Sequence, residues 1–500
     1  MKVNRSMVIK IIPVAVITGW ILRYVVGLEP VWWLAWLAPA ALLALAYRYA
    51  DAPARWLVAC AALIAVSVNL PYYRTVMPGG AAFAVMLAQA LVWQLAVMGA
   101  RRVVLRYQRW WTVFAYPVLW TAIDKLMAAL LPDGNWGSIG YSQHDFLYAI
   151  QIGALFGTGG ITFIVSLVAS ALAMALAFGV RAPRVRQAGL VAAVLTLATL
   201  GYGALRLQAA PQGREVVFGL VAVDDASGLQ ATAAYSEPIW RQYERHIADL
   251  ARQGANVIVL PEKVAMMSPA QAEQVRERFA RLAARLNVWI EIGVGIDDAG
   301  ADGGAANQGG AEPRVNLAWL LSPDGALAQR YQKQHMAPPE RGYRSGDAYS
   351  LHTIGGVRYG LAICKDMHFA ALGRAYGRRQ AGVMLVPAWD FGADRVIATA
   401  MTTMRGVENG YTIVRSAREG LLTVSDPYGR VIARRDSAAM PGSAMLVRVK
   451  VSAPVPTLYS RIGDAFGWLC VVVGLAASGA MFAGRRRDRS VRPGAPAVSP

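Results

Sequence analysis

A series of apolar stretches, each close to the roughly 20 residues that cross a bilayer as a helix, constrains this chain more than any other feature. They lie at 8–28, 31–48, 56–73, 81–100, 110–131, 146–179 and 187–206, and an eighth stands alone at 463–483. Backbone polar groups in hydrocarbon must be satisfied within the segment, so these stretches are read as membrane helices. The sixth is long enough to begin with a partly buried or re-entrant segment. The 56 % apolar fraction and fifteen tryptophans are too high for an ordinary soluble chain of 500 residues. The expected organisation is a seven-span domain over 1–207, an extramembrane domain over 208–462, an eighth helix over 463–484 and a basic tail over 485–500.

A net charge of +19 raises the possibility of a nucleic-acid partner, but the placement of the charge excludes it. Lys2 and Arg5 precede the first span. Arg48 and Arg55, then Arg101, Arg102, Arg106 and Arg109, then Arg181, Arg184 and Arg186 occupy alternate loops. Arg485, Arg486, Arg487 and Arg489 follow the last span, while the intervening loops "GLEP", "YYRTVMPGG" and "PDGNWGSIGYSQHD" are nearly free of Lys and Arg. This alternation places the basic loops and both termini in the cytoplasm, and residues 208–462 on the opposite side. The N-terminus lacks a convincing cleavage site, so the first stretch is kept as a span. Arg23 and Asp124 fall in or near spans, where charge is costly and usually has a task.

Residues 215–450 read differently, as short apolar runs alternating with amphipathic segments. "VVFGLVAV" (216–223), "NVIVLPE" (256–262), "VWIEIGVGI" (288–296), "NLAWLLS" (316–322), "VRYGLAIC" (357–364) and "GVMLVPAWD" (382–390) predict strands. Helices are predicted near 236–253, 269–286 and 395–410, which makes an α/β layer architecture. The Gly/Ala-rich 297–314 predicts a surface loop. Of three cysteines, Cys60 and Cys470 fall in predicted spans, so Cys364 has no disulfide partner in its domain. The five histidines show no metal spacing, and the glycine-rich 153–163 is not preceded by a strand as a phosphate loop would be.

Three strand ends carry a reactive group. Glu262 closes "VIVLPE", Lys333 stands in "RYQKQH", and Cys364 closes "GLAIC". Singly these read as a helix N-terminal acid, a solvated lysine and a small buried hydrophobe. Together they make an acyl-transfer site. A thiol of ordinary pKa, about 8.5, is only a few per cent thiolate at neutral pH and needs a base. A carboxylate can take its proton, and an ammonium can stabilise the resulting oxyanion.

These three motifs, in this order and at these intervals, resemble the Glu-Lys-Cys triad of the nitrilase (carbon-nitrogen hydrolase) superfamily. "PAWDFG" (387–392), "MRGVENG" (404–410) and "SDPYGR" (425–430) resemble further motifs of it. The resemblance implies an α-β-β-α sandwich, with Cys364 as nucleophile, Glu262 as general base and Lys333 as oxyanion stabiliser. With about eight spans around that domain, and with "GYSQ" (140–143), "GALFGTGGITF" (153–163) and "TLYSRIGDAFGW" (457–468), the whole chain resembles the apolipoprotein N-acyltransferase family.

That resemblance implies transfer of a fatty acyl group from a membrane phospholipid, through a Cys364 thioester, to the amine of a lipoprotein's N-terminal diacylglyceryl-cysteine. It implies an inner-membrane location with the catalytic domain on the periplasmic side, and neither cofactor nor metal. Glu340, in "PPE" where the family has "PFGE", and Asp366, in Lys365-Asp366 where it has Tyr-Glu, are supporting candidates. "SAREG" (416–420) carries charge where the family has a more neutral S-x-N-x-G run, and "VDDASGLQATAA" lacks the Gln and Trp expected after the first strand. A membrane-anchored nitrilase-type amidase and an inactive membrane binding protein are the alternative readings.

Overall fold

A computed structural model describes residues 5–210, 212–228, 231–297 and 314–490. Lys2, residues 298–313 of the predicted surface loop and residues 491–500 of the predicted tail lie outside the described residues. The N-terminal part is helical: α1 (Arg5–Val26), α2 (Trp32–Arg48), α3 (Asp51–Val66), α4 (Leu70–Val76), α5 (Gly79–Tyr107), α6 (Ala115–Leu130), α7 (Leu147–Ile150), α8 (Gly153–Phe178) and α9 (Pro183–Leu207). By length and composition, five segments among the described residues can cross a membrane: Asp51–Val76, Gly79–Tyr107, Trp110–Leu130, Gly153–Phe178 and Pro183–Leu207. The apolar parts of α1 and of the last helix are shorter, Ile11–Val26 and Ala465–Gly479, and α2 has 17 residues. Helices therefore stand at each of the eight predicted places, five of them at full spanning length. The long sixth stretch is divided, with the single turn α7 before α8 and a kink in α8 at Gly157.

Large apolar side chains cover the outside of this bundle, among them Trp20, Leu91, Leu95, Leu190 and Leu197. Its inside is equally apolar, with Leu42, Leu57, Tyr116 and Val165 in one core. A helix that is apolar all round is stable when lipid covers its outer face.

The extramembrane part holds two sheets. Strands β1 (Arg214–Ala222), β2 (Val257–Val259), β3 (Met266–Met267), β4 (Trp289–Asp297), β5 (Arg314–Leu321) and β6 (Leu327–Gln332) belong to the first. Strands β7 (Ser350–Ile354), β8 (Val357–Leu361), β9 (Val383–Trp389), β10 (Thr412–Arg418), β11 (Leu421–Ser425) and β12 (Val431–Asp436) make the second. β13 (Ser443–Val451) returns to the first, whose order is β13-β1-β2-β4-β5-β6 with β3 on β4; the second runs β12-β11-β10-β9-β8-β7. Phe218, Val259 and Leu320 of one sheet meet Tyr359, Leu385 and Val414 of the other in a shared core. Helices α10 (Ala233–Arg252) and α11 (Pro269–Leu286) cover the first sheet through Tyr243, Leu250 and Phe279. On the second sheet, Leu372 and Tyr376 of α12 (Ala370–Arg378) pack against Met384 and Ile413, and α13 (Arg395–Asn409) follows β9. The result is an α-β-β-α sandwich.

The central pairs β1/β2, β2/β4, β8/β9 and β9/β10 are parallel, which requires the helical crossovers. The crossovers bring the carboxyl ends of β2, β8, β9 and β10 to one edge, the usual place for a site in parallel sheets. α13 also joins the two parts of the molecule, because Ile397, Met401, Met404 and Val407 on it belong to the core of the membrane helices. After β13 the chain returns through α14 (Leu458–Ile462) to α15 (Ala465–Ser490). Two predicted strands are too long: β2 stops at Val259 rather than 262, and β8 also ends early. β8 stops at Leu361 rather than 364, because the Asp366 carboxylate takes the Ile363 N–H at 3.1 Å and bends the chain into a turn.

Candidate active site

Glu262 follows β2 in a segment that passes close over β4. A Cβ on Gly293 would stand 2.5 Å from the Pro261 carbonyl oxygen and 2.7 Å from Glu262 Cα, so the crossing needs glycine. No helix starts at Glu262; α11 is capped six residues on by Ser268. Lys333 is the first residue beyond β6 and keeps the sheet register by donating its N–H to Asn316 O at 2.9 Å. Cys364 opens a 3₁₀ turn, Cys364–His368, three residues past β8. Cys364 and Lys263 both have φ of 45°, left-handed conformations that cost a side-chain-bearing residue on the order of 1–3 kcal/mol. Two such residues at one edge of the sandwich, one from each sheet, mark a place where geometry outweighs stability.

Lys333 Nζ donates to Glu262 Oε1 at 2.7 Å and to Glu340 Oε2 at 2.6 Å. An ammonium has three donors, so one is left for another acceptor. Asn316 Nδ2 donates to Glu262 Oε1 at 2.6 Å and to Glu340 Oε1 at 2.8 Å, fixing the two carboxylates relative to each other. Lys263 forms a further ion pair with Glu340. Among the described residues, both hydrogen bonds to the Glu262 carboxylate fall on Oε1. Exposures of 1 % for Glu262 and Lys333, 3 % for Glu340 and 9 % for Cys364 keep these groups out of bulk water, which strengthens the interactions of the charged ones.

Burial pushes the Cys364 thiol up, Glu262 adds to the effect, and Lys333 opposes it; the net shift is upward. Burial also works against the Lys333 ammonium, but Glu262 and Glu340 hold it well above the usual lysine range. Glu340 shows the converse: burial disfavours its charge, yet Lys333 and Lys263 hold it below the usual carboxylate range. The thiol is therefore neutral and the lysine and Glu340 charged at neutral pH. Cys364 Sγ donates to Trp389 O at 3.5 Å.

Asp366 has a different place. It accepts from Tyr331 Oη at 2.8 Å, from the backbone N–H groups of Gln334 and His335 at 3.1 and 2.8 Å, and from Ile363 N. It ties the segment bearing Lys333 to the turn bearing Cys364. His335 contributes to the same tie, with Nδ1 3.1 Å from Asp366 and its ring stacked 3.7 Å from Phe369. His368 is held neutral by burial, with Lys365 adding to the shift.

The membrane part reaches this site. Lys365, next to the cysteine, pairs with Asp133 and donates to Met336 O at 2.8 Å, while Arg341 donates to the same Asp133 at 2.7 Å. Asp133 lies in the loop after α6, which Asp124 organises by accepting from Asn135, Ser138 and Thr162. Tyr72 on α4 donates to Asp394 at 2.7 Å beside the end of β9.

The structure thus joins Glu262, Lys333 and Glu340 in one network beside Cys364 and makes Asp366 a tie. The sequence reading passed over Lys263, Asn316, Trp389, Asp133 and the buried Asp390–Arg415 pair, in which Asp390 is pushed up to about 6 by burial against the pull of Arg415. The doublet Glu262-Lys263, an acid and a base together after an apolar run, was the signal for Lys263.

A sandwich with this acid-base-thiol edge, seated on apolar helices, defines a carbon-nitrogen hydrolase domain joined to a membrane domain. Residues 221–440 match the carbon-nitrogen hydrolase family, and residues 23–171 match the apolipoprotein N-acyltransferase N-terminal domain. With both domains in this order, the chain belongs to the apolipoprotein N-acyltransferase family within the nitrilase superfamily. The apolipoprotein N-acyltransferase of Geobacter metallireducens is 25% identical over 386 residues, 72% of each chain. The apolipoprotein N-acyltransferase 2 of Treponema pallidum is 22% identical over 447 residues, 76% of this chain and 77% of its own. Human omega-amidase NIT2 is similar to the catalytic part alone, at 25% identity over 236 residues, 41% of this chain and 81% of its own.

Proposed function

We propose that the protein is a membrane acyltransferase that N-acylates lipoproteins by a ping-pong mechanism, with phospholipid as donor and the α-amine of a diacylglyceryl-cysteine as acceptor. One observation carries this reading over hydrolysis of a soluble amide: the residue after the nucleophile, Lys365, is bound to Asp133 of a loop between membrane helices. A thiol held at the junction with the membrane part can meet an ester at the lipid surface, and a soluble amide needs no such junction.

In the first half-reaction Cys364 Sγ attacks the ester carbonyl carbon while its proton passes to Glu262 Oε2. Because burial keeps the thiol neutral, proton transfer accompanies attack. The third Lys333 proton meets the oxyanion, a contact needed in the transition state more than in the ground state. Collapse expels the lysophospholipid oxygen, which takes the proton back from Glu262 and leaves a thioester. In the second half-reaction the acceptor amine attacks the thioester carbon, the amine proton passes through Glu262 to the departing sulfur, and an amide and the free thiol result. Glu340 and Lys263 hold Lys333 in place through both steps, and Asp366 holds the two loops together.

In this reading the catalytic domain is periplasmic, both termini are cytoplasmic and the chain crosses the inner membrane eight times. Expression of the full chain in cells depleted of lipoprotein N-acylation tests the function. The expected result is restored N-acyl lipoprotein, seen by mass spectrometry of N-terminal lipopeptides. Lipopeptides that stay diacylated beside abundant, membrane-inserted protein count against it.

A further inference from the structure

Arg418, the last residue of β10, has 5 % exposure, yet among the described residues no hydrogen bond or ion pair reaches its guanidinium. Its Nε is buried without a partner. The group lies flat on Trp389, with Cζ 3.8 Å from the ring centroid, and Trp389 is its cross-strand neighbour. Glu262, Glu419 and Asp224 attract it from a distance, but none of them pairs with it: Glu262 binds Lys333 and Asn316, and Asp224 accepts the Glu419 N–H at 2.6 Å. A desolvated cation with no direct hydrogen bond or ion pair is expensive and calls for an anion.

The charges of the site isolate it further. Glu262 and Glu340 pair with Lys333 and Lys263, and Asp390 pairs with Arg415, so Arg418 is the cation among these that has no direct ion pair. Lys263 Nζ lies 5.0 Å from the same Trp389 ring, and the Trp389 carbonyl accepts from Cys364 Sγ. Two cations therefore border one indole whose backbone touches the nucleophile. This arginine occupies the position where the charged run "SAREG" departs from the neutral run of the resembled family.

We propose that Arg418, braced on Trp389, recognises the phosphodiester of the donor lipid during acylation of Cys364; this rests on the acyltransferase reading above. A guanidinium edge suits a phosphate in bidentate fashion. Of the two substrates only the donor must carry an anion, separated from the attacked ester by a glycerol unit. The acceptor presents an amine, which this cation repels when protonated.

The test uses the full chain in detergent and measures acylation of Cys364 by intact mass. The donors are phosphatidylethanolamine, phosphatidylglycerol and a diacylglycerol with the same acyl chains and no phosphate. Wild type is expected to prefer both phospholipids to diacylglycerol by about tenfold to a hundredfold, the range for one charge-assisted hydrogen-bonded pair. In Arg418→Gln that ratio collapses towards one, and in Arg418→Lys, which keeps the charge without the fork, it falls part of the way. Should Arg418→Gln fail to fold, the lowered ratio in Arg418→Lys decides. An unchanged ratio, even with both rates reduced, overturns the proposal and makes Arg418 a brace for Trp389. So does normal acylation with impaired transfer from preformed acyl-enzyme to a diacylglyceryl peptide, which would move the anion to the acceptor. A wild-type chain that takes no acyl group from any lipid instead removes the reading on which the proposal rests, before the variants are compared.

Discussion

Replacing Glu340 by Gln is the sharpest perturbation of the network around Lys333. The two Glu340 oxygens accept from four donors: Lys333 Nζ and the Ala337 N–H on Oε2, Lys263 Nζ and Asn316 Nδ2 on Oε1. A glutamine offers one acceptor oxygen and one N–H₂, so in either orientation it turns a donor towards two donors. One buried ammonium loses its acceptor, and the remaining carboxylate, Glu262, faces two ammoniums. Removing one partner of a buried pair costs about 3–5 kcal/mol. The native group has its pKa held down, so its stabilisation is fully present above the ordinary carboxylate pKa and is lost as pH falls through the folded value. At neutral pH, Glu340→Gln should therefore unfold at a clearly lower temperature in detergent. Loss of Lys333 alignment should slow both half-reactions by about 10²–10³-fold, the scale of one misplaced oxyanion donor. Single-turnover acylation and transfer rates, with thermal unfolding beside them, check this. Rates within about threefold of wild type would refute the argument that Glu340 positions Lys333.

Two further outcomes are expected. Because burial raises the Cys364 thiol, alkylation by iodoacetamide should still be climbing about tenfold per pH unit at pH 9; a plateau near neutral pH would show a preformed thiolate and remove the need for Glu262 as base. Reporters fused near residue 105 or 184 should be cytoplasmic and those near 78 or 136 extracytoplasmic, by the distribution of arginine loops; the reverse pattern would move the catalytic domain to the cytoplasm.

The sequence discloses what rests on local pattern. β1, β4, β9 and α11 are visible because each is a continuous apolar run or a clean helical period with its own boundaries, such as the Ser268 capping box. β6 and β12 are not, since "LAQRYQ" and "VIARRD" are partly exposed strands at sheet edges whose polar residues hide the alternation. Glu262, Lys333 and Cys364 stand out because each reactive group abruptly ends or follows a strand. Asn316 does not, because its role comes from lying inside β5, within reach of two carboxylates. Asp133 meets Lys365 across 232 residues of chain, a distance over which no periodicity carries information. The run "SAREG" shows a departure in sequence, but only the stacking of Arg418 on Trp389 and its unpartnered Nε give that departure a chemical meaning.

The central claim is that Cys364 carries the acyl group between two substrates, and a covalent intermediate accumulates when the second substrate is withheld. Purified full-length protein mixed with phospholipid and no acceptor should gain the mass of one fatty acyl chain. The adduct should map to the peptide containing Cys364, be released by neutral hydroxylamine as a thioester is, be absent from Cys364→Ala and form far more slowly in Glu262→Ala. Adding a diacylglyceryl-cysteine peptide should discharge it with formation of an N-acyl amide. Protein that stays unmodified across several phospholipids while hydrolysing a soluble amide would contradict the account and make the molecule a membrane-anchored amidase.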